Sequence, residues 1–374
     1  MMVKQRYTVR FMTPAFLGDA EQNGEWRTPP FKALLRQWWR VAVAKDYGYD
    51  HERLREAEGK LFGNAWPNGN SQESRLRIRL GEWRQGKMQK WNEREEKLKH
   101  PEINFSVDAN LYLGYGPLIY DKTTKKPALK ANAAMQADDY AEIFLAYPKD
   151  LASLFSDIVQ LIHWFGTLGG RSRNGWGSLD FSGDGVALKP LEENSPLLGA
   201  ISRPLQDCLG LDWPHAIGHD NNRLLIWRTN QQRLWRDIMK QLAQVKIAFR
   251  TQPSLAFNRN KDIKKPIIDH RHFLSYPVTH HGVEGWCDKD KKTGKLITDK
   301  HGYLKQSTRL ANQLRFKVAK TTEGYIGLAY HLPCGIPGEL LDALSAADRS
   351  WIVGEQLGVW QSVHTVLDQH MQRI

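Results

Sequence analysis

A glycine-rich stretch at residues 169–178, Gly-Gly-Arg-Ser-Arg-Asn-Gly-Trp-Gly-Ser, directly follows a helical pattern that ends at Phe165. Glycine adopts positive φ and allows another group to approach the backbone closely, so the stretch predicts a helix end followed by a sharp loop. It has neither the Gly-Lys-Ser/Thr ending of a P-loop nor the Gly-x-Gly-x-x-Gly spacing of a dinucleotide-binding fold. Both of those nucleotide-binding classes are therefore excluded.

The side chains of this glycine loop indicate a sugar-phosphate backbone as the ligand. Arg171 and Arg173, on either side of Ser172, can hold phosphate oxygens through planar, forked donors, and Trp176 offers a stacking face. Four glycines are predicted to give a ligand access to the loop backbone: Gly169, Gly170, Gly175 and Gly177. The alternative interpretation is a flexible turn with solvated arginines.

The composition is consistent with a nucleic-acid partner. Lys and Arg number 53 against 41 Asp and Glu, a formal net charge of +12 in 374 residues, and such an excess attracts polyanions. A basic enzyme of another kind could show the same charge. Three widely spaced cysteines, Cys208, Cys287 and Cys334, predict neither a zinc site nor a disulfide framework and suit a reducing cytoplasm. No apolar run approaches the roughly 18 residues that span a bilayer, so no membrane partner is expected.

Hydrophobic periodicity predicts an α+β domain over residues 1–190. A strand at 5–12 is followed by a helix that Thr28 caps, by strand-like segments, by a helix that Asp150 caps, and by a last strand after the loop. The strand-like segments lie at 75–80, 110–119 and 141–147. This order is that of a ferredoxin-like βαββαβ domain with insertions.

The first predicted helix has an apolar stripe and a separate basic stripe. The apolar stripe consists of Phe31, Leu34, Leu35, Trp38 and Ala42. The basic stripe consists of Lys32, Arg36 and Arg40, which are four residues apart, and Arg27 precedes the helix. We interpret these four cations as a second RNA contact, so that loss of Arg36 or Arg40 is expected to spare the melting temperature. A solvated helix face is the alternative.

A second domain is predicted over residues 191–374. Its elements are a helix over 229–249, paired strands over 313–332, and helices over 337–347 and 355–370. Between them lie two basic stretches, one with Arg259 and Lys261 and one with a hairpin tip at 291–294. We interpret these stretches as contact arms, and surface loops are the alternative.

Three segments, in this order along the chain, resemble one known family. They lie at 31–40, 165–179 and 309–318. The family is that of the first Cmr subunit, a RAMP protein of type III-B CRISPR effector complexes. The resemblance implies two ferredoxin-like RAMP domains, guide RNA held near its 3′ region, a part in target RNA capture, and contacts to other Cmr subunits. It also implies an RNA contact for Arg309. The chain departs from the family pattern at Asn174, where an arginine is frequent, and after Ala311, where a Ser-Pro pair is usual.

The histidines form no recognisable catalytic motif. Metal-independent RNA cleavage needs a base for the 2′-hydroxyl and an acid for the leaving oxygen, and nothing beside His163 in the sequence supplies the second group. His270 and His272 would share one face of a strand, but phosphate contact is the simpler role in that basic region. We therefore favour a non-catalytic RNA-binding subunit with neither cofactor nor metal. A stand-alone RAMP endoribonuclease that processes repeat RNA is the alternative, and a basic structural protein without an RNA role is a third.

Overall fold

The computed structural model describes residues 1–65, 71–131, 134–185, 187–255 and 262–374. Within them the strands are β1 (Met2–Phe11), β2 (Arg77–Leu80), β3 (Lys97–Leu98), β4 (Val107–Asp108), β5 (Leu118–Asp121), β6 (Lys126–Leu129), β7 (Tyr140–Pro148), β8 (Leu179–Gly183), β9 (Ser202–Pro204), β10 (Ile217–Asp220), β11 (Arg223–Leu224), β12 (Ile226–Arg228), β13 (Leu314–Lys320), β14 (Tyr325–His331) and β15 (Gln372–Arg373). The α-helices are α1 (Thr28–Val43), α2 (His51–Phe62), α3 (Ala109–Gly114), α4 (Ala152–Phe165), α5 (Pro196–Ala200), α6 (Leu205–Leu209), α7 (Trp235–Thr251), α8 (Gly338–Asp342) and α9 (Ala346–His370).

The first sheet has the strand order β2-β7-β1-β8, and its neighbouring strands are antiparallel. With α1 after β1 and α4 after β7, this is the βαββαβ arrangement of a ferredoxin-like domain. It forms because apolar side chains alternate along the strands: Tyr7, Val9 and Phe11 of β1 are buried in one core with α1 and α4. The predicted ferredoxin-like fold of this unit is confirmed.

A second sheet repeats the arrangement with the order β13-β14-β12-β15. Here α7 follows β12 and α9 follows β14, so this unit is also ferredoxin-like and the predicted fold class is confirmed. A long insertion separates α7 from β13. The division of the chain into residues 1–190 and 191–374 stays a prediction.

The two units share a core at the helices of the first unit. The ring of Tyr330, on β14, lies 6.2 Å from the Trp38 ring of α1 and 4.8 Å from the Phe165 ring of α4, measured between centroids. On the other side of the second sheet, Phe316 and Val318 belong to the core of α7 and α9. The second sheet is therefore covered on both faces.

Some predicted boundaries are wrong for local reasons. Helix α1 begins at Thr28 itself, with Arg27 at the N-cap and no side-chain cap, and Asp150 lies in a 3-10 turn before α4 rather than at its N-cap. Residues 110–114 are helical instead of extended because the Asp108 carboxylate accepts a hydrogen bond from a backbone N–H of the first turn of α3, at 2.8 Å.

Candidate nucleic-acid interface

The glycine loop joins the two ferredoxin-like units. The N–H of Phe316, on the edge strand β13, donates to the carbonyl of Arg173 at 2.9 Å, and Asn174 forms a parallel bridge with Phe316. The N–H of Val318 donates to Ser178 Oγ at 2.8 Å. The loop is thus hydrogen-bonded to β13 of the second unit through the carbonyl of Arg173 and the hydroxyl of Ser178.

All four loop glycines face atoms of the protein: Gly169, Gly170, Gly175 and Gly177. At Gly177, with φ of +62°, a Cβ would lie 1.9 Å from the carbonyl oxygen of Leu168. At Gly169, with φ of +94°, it would lie 2.7 Å from the carbonyl oxygen of Phe16. The close approach that glycine permits is therefore made by the chain itself, and the predicted access for a ligand is wrong at these two positions.

Trp176 does not offer a stacking face. Its side chain is fully buried and makes edge contacts with the rings of Phe16, Trp91 and Trp235 at centroid distances of 5.5, 5.6 and 6.1 Å. The prediction is wrong because the indole fills the core between the loop and α7. A tryptophan among glycines carries no sequence signal that distinguishes a buried ring from an exposed one.

Arg173 also acts inside the protein. Its Nη1 donates to the carbonyl of Asn312 at 2.9 Å. Burial, and then the neighbouring Arg315, lower the pKa of Arg173 to about 10. This half-buried guanidinium helps to connect the units. An RNA contact by Arg173, or by the half-buried Ser172 before it, stays a prediction.

Arg171 is the loop cation that faces solvent. Its Nε donates to the carbonyl of Tyr115 at 2.5 Å. Burial, and then the charge of Arg309, lower its pKa, so two predicted site residues that are far apart in sequence lie near each other. Lys246 and Arg250 of α7 approach from the second unit. We call Arg171, Lys246, Arg250 and Arg309 the cation cluster.

Lys246 is the most informative member of the cation cluster. It is half-buried, and its Nζ donates to Asn174 Oδ1 at 2.8 Å. Burial first, and then Arg250 and Arg171, lower its pKa well below the ordinary value. An ammonium in that setting gains from a neighbouring anion. The signal for it was available in the sequence, because Lys246 and Arg250 are an i, i+4 basic pair on the helix predicted at 229–249.

Within the described ranges, none of the four cluster cations forms an ion pair with a carboxylate within 4.0 Å. Arg271, whose charge also acts on Arg250, differs because it pairs with Glu102. Tyr115, whose carbonyl accepts the hydrogen bond from Arg171, is 64% exposed. The cluster therefore combines positive charge that has no direct carboxylate partner with an accessible aromatic ring, and the nearby Glu102 carboxylate offsets part of the charge at Arg250.

The basic stripe of α1 is an ion-pair network. Glu58 of α2 is buried, and its carboxylate lies 2.5 Å from Arg36 Nε and 2.8 Å from Arg40 Nη2. The expectation that these arginines leave stability untouched is wrong in its premise, because they neutralise a buried charge. Burial, and then Arg36, lower the pKa of Lys32, and Arg27 donates to a backbone carbonyl at 2.7 Å. RNA contacts by these four residues stay a prediction.

His163, which is half-buried, lies beside a carboxylate and near a fully buried lysine. Its Nδ1 is 3.3 Å from Asp180, and nearby Lys317 Nζ donates to the carbonyls of Ile162, at 3.2 Å, and His163. Burial lowers the pKa of Lys317 to about 7. This lysine is fully buried and holds the carboxyl end of α4, where a cation is favourable. Its geometry is that of a helix cap.

Other predicted residues lie elsewhere. Arg259 and Lys261 are outside the described residues. His270 and His272 lie in a 3-10 turn, so their predicted shared strand face is wrong. In the described parts of the chain, no three His, Cys, Asp or Glu side chains are grouped to hold a metal ion. No helix in those parts is long and apolar enough to cross a membrane.

Comparisons with known proteins give one family model and a set of solved structures, three of which are described below. The model of the RAMP superfamily matches residues 8–180, and no curated protein matches the chain. Cmr1 from Pyrococcus furiosus in its apo form has 12% identity over 95% of this chain and 97% of its own, with a TM-score of 0.44. A chain of a type IV-B CRISPR complex has 14% identity over 52% and 96%, with a TM-score of 0.29. A chain of the type III-B Cmr-beta complex bound to cognate target RNA has 11% identity over 49% and 60%, with a TM-score of 0.28.

Proposed function

We propose that this chain, whose residues 8–180 match the model of the RAMP superfamily, is a non-catalytic RNA-binding subunit of a type III-B CRISPR (Cmr) effector complex. In this proposal it caps the complex, holds guide RNA near the 3′ region, contacts other Cmr subunits and assists target RNA capture. The three-segment sequence resemblance supports the Cmr assignment. The cation cluster, whose four members have no direct carboxylate partner among the described residues, is the observation that carries RNA binding.

The cation cluster is suited to a phosphodiester backbone. Arg171 and Arg309 present forked donors toward solvent. Burial and then the Arg309 charge lower the pKa of Arg171, and a phosphate between the two arginines would offset the second of these causes. The same phosphate compensates Lys246, whose pKa would rise toward its ordinary value. The exposed ring of Tyr115 can stack on a base beside that phosphate.

A holding role, without cleavage, follows from the chemistry of this cluster. The three guanidinium groups stay protonated at neutral pH, and the pKa of Lys246 would rise toward its ordinary value beside a bound phosphate, so none of the four cations is expected to accept the proton of a 2′-hydroxyl. The lysine of near-neutral pKa, Lys317, is fully buried against the end of α4. The cluster therefore positions a backbone and leaves it intact.

Binding is tested with single-stranded RNA and the double variant Arg171→Ala/Arg309→Ala. Affinity should fall roughly tenfold or more for U-rich and A-rich sequences alike, because phosphate contacts carry no sequence information. The slope of log K against log salt should become shallower by about 1.4, at about 0.7 for each lost contact. Lys45→Ala/Arg53→Ala removes two exposed charges elsewhere and is the matched control. Parent-like affinity in the cluster variant, or a salt slope near zero in the parent, contradicts the proposal.

Cleavage is tested by incubating the full chain with labelled repeat RNA and with a complementary target, with and without divalent metal. We expect intact RNA in every lane. Discrete products that disappear in His163→Ala would instead favour the stand-alone endoribonuclease.

A further inference from the structure

Among the residues that the structure describes, no helix covers one face of the first sheet. Tyr7, Val9 and Phe11 point to the core with α1 and α4, so the alternate positions of the same strands lie on the opposite face. That face carries five cations: Lys4, Arg6 and Arg10 on β1, and Arg77 and Arg79 on β2. We call it the open sheet face.

Positive charge on the open sheet face exceeds negative charge. Glu142, at 3.4 Å, and Asp184 both pair with Arg6. Asp180, opposite Arg10 in the register, lies 3.3 Å from His163 instead. Among the described residues, the other four cations of this face form no ion pair. An anionic partner would therefore meet charges that are still available.

Two aromatic rings lie among these cations on the central strand β7. The Arg79 guanidinium carbon is 4.4 Å from the centre of the Phe144 ring, and that of Arg10 is 4.7 Å from the centre of the Tyr140 ring. Tyr140 is 52% exposed. Four residues of a strand separate the two stacks by roughly 13 Å, at about 3.3 Å per residue. The face thus presents two flat arginine–ring stacks surrounded by cations.

We propose that the open sheet face binds a single-stranded RNA segment, as a surface separate from the cation cluster. Bases stack on aromatic rings and on guanidinium planes, and phosphates pair with the remaining cations. An acidic protein would use the charges but has no need of the flat stacks. Duplex RNA would use the charges too, but its bases are not free to stack. The inference rests on the sheet alone and does not require the cation cluster to bind RNA.

The experiment measures binding of a labelled 12-nucleotide oligoadenylate to the full chain by fluorescence anisotropy. Tyr140→Leu/Phe144→Leu removes both rings and keeps every charge, so affinity should fall roughly 5- to 150-fold for each stacked base that is lost, with an unchanged salt slope. Arg77→Glu/Arg79→Glu, at two exposed positions, provides a second variant and should weaken binding while altering the salt slope. Arg171→Ala/Arg309→Ala, measured in parallel, should make the salt slope shallower whatever the two sheet variants do.

These outcomes separate the two surfaces. If the ring variant loses affinity and Arg171→Ala/Arg309→Ala does not, this inference stands and the cation cluster is not the RNA site. Parent-like binding of oligoadenylate by both sheet variants overturns the inference. So does a ring variant that binds oligoadenylate normally but fails to co-purify with other Cmr subunits, because the face would then be a protein interface. Ultraviolet cross-links from a 4-thiouridine RNA should map to β7, and cross-links confined to the loop and α7 would also overturn it.

Discussion

The two sheets have the same topology but differ in what covers them. The first keeps one face open, whereas the second lies between α7 and α9 on one side and the helices of the first unit on the other. Arg77-Ile78-Arg79 on β2 and Arg315-Phe316-Lys317 on β13 are the same basic alternation in sequence. The first pair of cations is exposed and the second pair is buried.

Burial changes what these cations do. Burial lowers the pKa of Arg315 and brings that of Lys317 to about 7, and the Lys317 amine donates to carbonyls at the end of α4. Arg79 instead lies over the ring of Phe144 at the surface. The same alternating pattern therefore predicts a strand in both places. Whether its cations are buried in contacts within the protein or exposed at the surface depends on what packs against the strand.

The largest expected effect lies where the second sheet meets the first unit. Trp38→Ala removes a fully buried indole beside Phe165 and Tyr330, so the free energy of unfolding should fall by about 3–5 kcal/mol. Phe144→Leu, on the open sheet face, is the matched control and should change it by less than about 0.5 kcal/mol. Urea denaturation of both variants measures the difference. Equal losses would show that the open sheet face is packed as tightly as the core.

A smaller effect is expected from the arginines that tie α1 to α2. Arg36→Gln/Arg40→Gln leaves the buried Glu58 carboxylate without its two partners, and we expect a loss of about 1–3 kcal/mol. Arg77→Gln/Arg79→Gln removes the same charge from the open sheet face and should leave the melting temperature unchanged. Calorimetry of the two double variants compares them, and unchanged melting of the first would mean that its arginines are only solvated.

The pH dependence of stability should distinguish a buried strand cation from an exposed one. Burial brings the pKa of Lys317 to about 7, below the roughly 10.4 of an unfolded lysine. Between these values the unfolded chain binds a proton that the folded chain does not, so this group makes stability rise with pH, by at most about 1.4 kcal/mol per unit. Lys317→Met should lack that rise in urea denaturation between pH 7 and 9. Parallel pH profiles for parent and variant would contradict the depressed pKa.

The fold was more predictable from the sequence than the site. Apolar alternation in residues 5–12 and the stripe that contains Trp38 predict β1 and α1 because each element faces one core. Residues 110–114 are helical although their pattern predicts a strand, because the cap from Asp108 outweighs the short strand-like pattern. Within the site, local pattern placed Arg171 correctly at the surface and Trp176 wrongly there. Burial of Trp176 depends on α7, which is far away in sequence.

The packing of Gly177 has a practical consequence for engineering. Its backbone passes so close to the carbonyl of Leu168 that any side chain there would collide, and the next residue, Ser178, accepts a hydrogen bond from β13. The loop is therefore part of the contact between the two ferredoxin-like units and is not an independent segment. Shortening the loop would remove its hydrogen bonds to β13, and the same loop grafted onto another scaffold would lack that strand as a partner.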